Sequence, residues 1–137
     1  MLKPNLLLRI QVLFSFLLIL IAFMGCSTLP GEGGTSTITG KVYVERYNAS
    51  GILYQEYYGA EERVYIIYGD GTTYDEETKT SYDGTYQFQF LREGTYTVFS
   101  YSDCLTCEGS TEAVLQTVEI TENHQDVTVA DIVIEQR

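Results

Sequence analysis

The sequence predicts an all-β protein, a single antiparallel β-sandwich of about seven strands preceded by an apolar leader. Three observations carry this. The chain of 137 residues holds twelve Tyr and no Trp, and beyond its leader it is rich in Thr, Val and Ile; branched and aromatic side chains pack well on a pleated surface. From Thr37 onwards apolar and polar residues alternate with a period of two, and no stretch beyond residue 26 has a helical period. Turn-forming residues interrupt that alternation at short intervals, as in antiparallel sheets with one face buried.

Each element follows from the same pattern. Ile38, Gly40, Val42 and Val44 share one face of a first strand. In residues 63–68, Val64, Ile66 and Tyr68 face one way, while Tyr65 and Ile67 make the other face apolar too, which predicts a central strand. Residues 80–91 read as a hairpin around Asp83-Gly84, a pair suited to the positive φ angles of a tight turn. Tyr86, Phe88 and Phe90 then point inward, and Gln87 and Gln89 outward. Arg92-Glu93-Gly94 turns the chain again, so that residues 95–101 return antiparallel. The last strands are expected at 113–120 and 126–134.

Residues 1–25 have the layout of an export signal: Lys3 and Arg9, an apolar run, then Gly25. The run from Ile10 to Met24 is 15 residues, interrupted by Gln11 and Ser15, whereas a membrane-spanning helix takes about 20. Gly25-Cys26, followed by the polar segment from Ser27 to Ser36, resembles the bacterial lipobox, with Phe23 and Met24 where that box usually carries Leu and Ala or Ser. The resemblance implies that Cys26 is acylated and becomes the first residue of the mature chain, and that residues 26–36 form a lipidated, flexible tether. Acyl chains contribute about 0.8 kcal/mol per buried methylene, so the anchor needs no apolar protein surface. Ser27 fits transfer to the outer membrane under lipoprotein sorting rules. The absence of an acidic run after the cysteine favours its periplasmic face.

Gly40-Lys-Val42, Val64 to Tyr68, Asp83-Gly-Thr-Tyr86 with Phe88, and Gly94-Thr-Tyr96 with Val98 together resemble the carboxypeptidase regulatory-like family. That resemblance covers nearly all of residues 37–137. It implies a prealbumin-like, immunoglobulin-like sandwich of the kind used as a module in bacterial envelope proteins. The chain departs from the family in a longer first connection, from Tyr47 to Glu62, and in an insertion from Ser102 to Gly109.

The formal net charge is −11, and without Lys3 and Arg9 six basic residues face nineteen acidic ones, a charge of −13. Such a surface repels phosphate backbones and anionic headgroups, which argues against nucleic-acid partners and against electrostatic membrane attachment. Cys104 and Cys107 form a C-x-x-C, read as a structural disulfide in an oxidising compartment; the alternatives are a reactive thiol pair or part of a zinc site, for which His124 is the only histidine. The acidic stretch Asp70, Asp75, Glu76 and Glu77 offers oxygen ligands for calcium or is a solvated turn. Tyr54, Tyr57 and Tyr58, with Tyr43 and Tyr47, form either an exposed recognition surface or strand cover. No nucleophile elbow, metalloprotease helix or phosphate loop is present, and the C-terminal Tyr-Arg-Gly-Ser of prealbumin-like hydrolases is missing. The expectation is a non-catalytic envelope lipoprotein without cofactor, anchored to the membrane through Cys26 and serving as a structural or protein-interaction module. The alternative is a glycan- or calcium-binding accessory lipoprotein.

Overall fold

The computed structural model describes residues 29–137; the leader and Cys26 lie outside these described residues. The described residues form nine strands: β1 (Glu32–Tyr47), β2 (Leu53–Tyr58), β3 (Arg63–Tyr68), β4 (Glu76–Lys79), β5 (Thr85–Leu91), β6 (Gly94–Asp103), β7 (Thr111–Ile120), β8 (Asp126–Thr128) and β9 (Ile132–Gln136). They form two sheets, a five-stranded one centred on β1 and a four-stranded one ordered β4-β3-β6-β7. The expected β-sandwich is therefore the fold. Its pairings are antiparallel except along β1, whose first half pairs with β8 and whose second half pairs with β9, both in parallel. Parallel neighbours need a crossover, and here the chain crosses from one sheet to the other between β7 and β8.

The core lies between the sheets and is built by the expected alternation. Ile38, Val42 and Val44 of β1, Val64 and Ile66 of β3, Tyr96 and Val98 of β6, and Ile132 and Ile134 of β9 are buried. Gly40 sits in that row because a Cβ there would collide with Tyr86 Oη. β3 lies between β4 and β6, the central position expected from its two apolar faces.

Four local expectations are corrected. The Asp83-Gly84 turn exists, with Gly84 at φ 79° and its N–H donating to Ser81 O at 3.0 Å. It does not close a hairpin, however, because β4 pairs with β3 whereas β5 pairs with β1; the turn carries the chain from one sheet to the other. The next turn, at Arg92 to Gly94, does the same in reverse, so β6 pairs with β3 and β7 and not with β5. Phe90 is 67% exposed, not inward. Ile38 pairs with Phe88 and Ser36 with Leu91, which leaves one extra residue on β5, and Phe90 takes φ 59°. This β-bulge resets the alternation and hands the inner position to Leu91. Finally, residues 126–134 split into β8 and β9 around buried Val129.

Where β5 passes to β6, Tyr96 clasps the corner. Its hydroxyl donates to Arg92 O at 2.8 Å and accepts from Gly31 N at 3.0 Å, the arrangement called a tyrosine corner in other sandwiches. The chain is consequently ordered into strand from Glu32, so residues 32–36, expected to belong to the flexible tether, are part of β1. Ser36 is fully buried, and its hydroxyl donates to Glu122 O and accepts from Gln125 N.

Candidate functional site

The Tyr-rich connection from 47 to 62 folds into β2, which hairpins onto β1. Asn48 forms its loop: its Oδ1 accepts from Ser50 N and Ile52 N at 2.9 and 3.0 Å. Strand alternation then separates the three candidate tyrosines. Tyr57 pairs with Val44, faces inward and packs against the core, while Tyr54 and Tyr58 face solvent. Tyr58 meets Tyr43 edge-on at 5.3 Å, carries Lys41 Nζ 4.7 Å from its ring centre, and donates its hydroxyl to Asp131 Oδ2 at 3.1 Å. That hydrogen bond to a carboxylate holds the Tyr58 phenol above its ordinary pKa. Arg46 lies 6.0 Å from the Tyr54 ring. Arg137 lies 5.0 Å from the ring of Tyr47, whose hydroxyl donates to Glu45. Cations and carboxylates of the chain itself thus engage the exposed rings of this hairpin.

Sequence reasoning missed a second aromatic group, on the outward face of the four-stranded sheet. Tyr65 stacks on Phe99 with ring centres 5.1 Å apart, and Tyr101 and Tyr74 approach Tyr65 at 5.6 and 4.9 Å. The sheet register explains the cluster, because Glu77, Tyr65, Phe99 and Leu115 are successive neighbours across β4, β3, β6 and β7. Tyr65 and Phe99 cover one another and are nearly buried, whereas Tyr74, Tyr101 and Leu115 are each more than half exposed. The signal was present in the sequence: Tyr65 and Ile67 gave β3 an apolar second face. Its meaning required Phe99 and Tyr101 to be laid beside it.

The acidic candidates do not converge. Glu76 and Glu77 fall on opposite faces of β4; Glu76 accepts from Tyr68 Oη at 3.0 Å, and Glu77 lies 3.9 Å from Arg63. Asp75 Oδ2 accepts from Tyr68 N at 2.7 Å, and Asp70 is exposed in the preceding loop. Burial, followed by the hydrogen bond to Glu76, pushes the Tyr68 phenol well up. Among the described residues, the one group of three potential metal ligands is Cys104, Cys107 and Glu112. Its two sulfurs are joined in a disulfide, as expected, with Cα atoms 5.5 Å apart. This bond ties the loop that joins β6 to β7, which is also closed by Cys104 N donating to Ser110 O at 2.9 Å.

No protein-family model matches the chain, and no curated protein does. Among solved structures, the chain is similar to a Pseudomonas aeruginosa protein for which carbohydrate binding has been suggested. The identity is 19%, with 73% of this chain and 90% of that one covered and a TM-score of 0.46.

Proposed function

We propose that this protein is a non-catalytic envelope lipoprotein, held at the membrane through Cys26, whose sandwich acts as a protein-interaction module. The observation that supports it is the aromatic face of Tyr65, Tyr74, Phe99 and Tyr101 on an otherwise acidic surface. Large rings with polar tips are favoured at recognition surfaces because they offer contact area at low entropic cost. The surface depressions elsewhere are open and lined mainly by polar side chains such as Glu32, Glu76, Gln87 and Gln89, which suits a broad contact better than an enclosed small ligand. The export-type leader and the lipobox-like Gly25-Cys26 supply the location in this reading. The reading leaves the protein without catalytic residues or cofactor.

A second reading, glycan binding, draws on the same face, since the half-exposed rings of Tyr74 and Tyr101 could stack on sugars. Photo-crosslinking in producing cells separates the two. With a photoreactive residue at Tyr101, the interaction reading expects a discrete protein adduct that is absent when the residue stands at Tyr82, on the far turn. Adduct-free cells together with a positive glycan array would transfer the face to sugars. For the anchor, Cys26→Ala should abolish incorporation of a palmitate analogue and release the chain from membranes; retention of label would refute acylation at Cys26.

A further inference from the structure

Among the described residues β7 is the longest edge strand, and its protection is confined to a glutamate near either end. It pairs with β6 over ten consecutive positions, from Asp103 with Thr111 to Gly94 with Ile120, without a register shift. Among the described residues no strand lies on its other side. Natural edges are blunted by Lys, Pro, bulges or brevity. β4 has four residues, β5 is bulged at Phe90, and β8 and β9 are short and interrupted. β7 contains no Lys and no Pro, and its only charges, Glu112 and Glu119, leave the six-residue stretch 113–118 between them uncharged.

The surrounding charge says what such an edge accepts. Between residues 103 and 136 the chain carries eight carboxylates and no Lys or Arg. A second copy would bring two such segments together and is disfavoured by repulsion, whereas a basic strand would be attracted. The aromatic face also ends at this edge: Leu115, 58% exposed, is the neighbour of Phe99 on β7. The next strand added would continue that row.

We infer that β7 is a strand-addition site for an extended, basic segment of a partner protein, with Lys or Arg alternating with apolar residues. Main-chain hydrogen bonds to β7 supply the affinity. The segment's apolar side chains lie on the outward face beside Leu115, and its basic ones fall on the opposite face, that of Glu112. This inference rests on the interaction-module reading and names the partner's chemistry.

The test uses the full mature chain in nonionic detergent and a ten-residue peptide alternating Lys and Val. Two control peptides accompany it: one alternates Glu and Val, and the other is the Lys–Val peptide interrupted by two prolines, which keeps its charge but cannot extend a sheet. The Lys–Val peptide should bind at least about tenfold more tightly than either control, slow amide exchange selectively in residues 111–120, and weaken as salt is raised. The double variant Leu115→Lys and Thr117→Lys, both exposed positions, should lose about tenfold in affinity, while Tyr82→Lys on the far turn should not. Should the double variant misfold, Glu112→Gln with Glu119→Gln must still reduce the salt dependence. Equal binding of the proline-interrupted peptide, protection mapped to β2 or β5, or concentration-dependent dimerisation through β7 would each overturn the inference. A protein adduct at Tyr101 in cells alongside absent peptide binding would sink the strand-addition site and leave the interaction module standing. Cells without any adduct would remove the module itself.

Discussion

Replacing Tyr96 by Phe deletes one oxygen and keeps the ring that fills the core, so it isolates the polar clasp at the β5–β6 corner. The lost hydroxyl donates to Arg92 O at 2.8 Å and accepts from Gly31 N at 3.0 Å, and both Tyr96 and Gly31 are buried. A buried backbone group left without a partner costs about 1–3 kcal/mol. Two such groups, the Arg92 carbonyl being partly reached by water, bring the expected loss to about 2–3 kcal/mol. For a domain of this size, 1 kcal/mol corresponds to about 4–8 °C in Tm, so Tm should fall by about 10–20 °C. Urea denaturation followed by near-ultraviolet circular dichroism checks this, with the midpoint lowered and the slope unchanged because the surface exposed on unfolding is the same. Hydrogen exchange should accelerate first in residues 31–34, which the clasp ties to the corner. A stability loss below about 0.5 kcal/mol, or exchange that accelerates uniformly, would refute the clasp as the device that orders the start of β1.

Other consequences are equally open to measurement. Phe88→Ala should cost about 3–5 kcal/mol as a cavity-forming change, whereas Phe90→Ala should stay within about 0.5 kcal/mol; equal costs would mean that the bulge is absent. Tyr86 Oη is buried without a partner, so Tyr86→Phe should leave stability unchanged or raise it by up to about 1 kcal/mol, and a clear drop in Tm would reveal an unseen partner. The Asp83 carboxyl is held well below its usual range by hydrogen bonds from Ser81, Thr85 and Lys41. A lowered folded-state pKa gives stability that is full above the unfolded value, about 3.9, and is lost as pH falls towards the folded value. The Tm gap between the natural chain and Asp83→Ala should therefore be widest near pH 6 and close progressively below about pH 4; a gap independent of pH would refute the role. Reducing the Cys104–Cys107 disulfide should cost no more than about 2 kcal/mol, since the loop it closes is small, as differential scanning calorimetry with and without reductant would show.

The sequence by itself determined the fold class and the positions of most strands. Two-residue periodicity is a local property: Ile38, Val42 and Val44 can share a face only in a strand, and Tyr86 and Phe88 likewise. It also offered the disulfide, since the spacing of Cys104 and Cys107 permits that bond, but a reactive thiol pair or a zinc site fitted the same spacing until the structure joined the two sulfurs. What it left undecided was partnership. Asp83-Gly84 specifies a reversal but carries no information on whether the two flanking strands pair with each other, and the two sheets that receive them are assembled from residues 32–47 and 94–103 far along the chain. Phe90 was misread because a bulge shifts the alternation by one residue at a point where the side chains give no sign of it. The outward aromatic face and the unpaired length of β7 exist only once β4, β3, β6 and β7 are set side by side. Sheet order depends on long-range packing of two apolar faces against each other, and that is settled by tertiary structure alone.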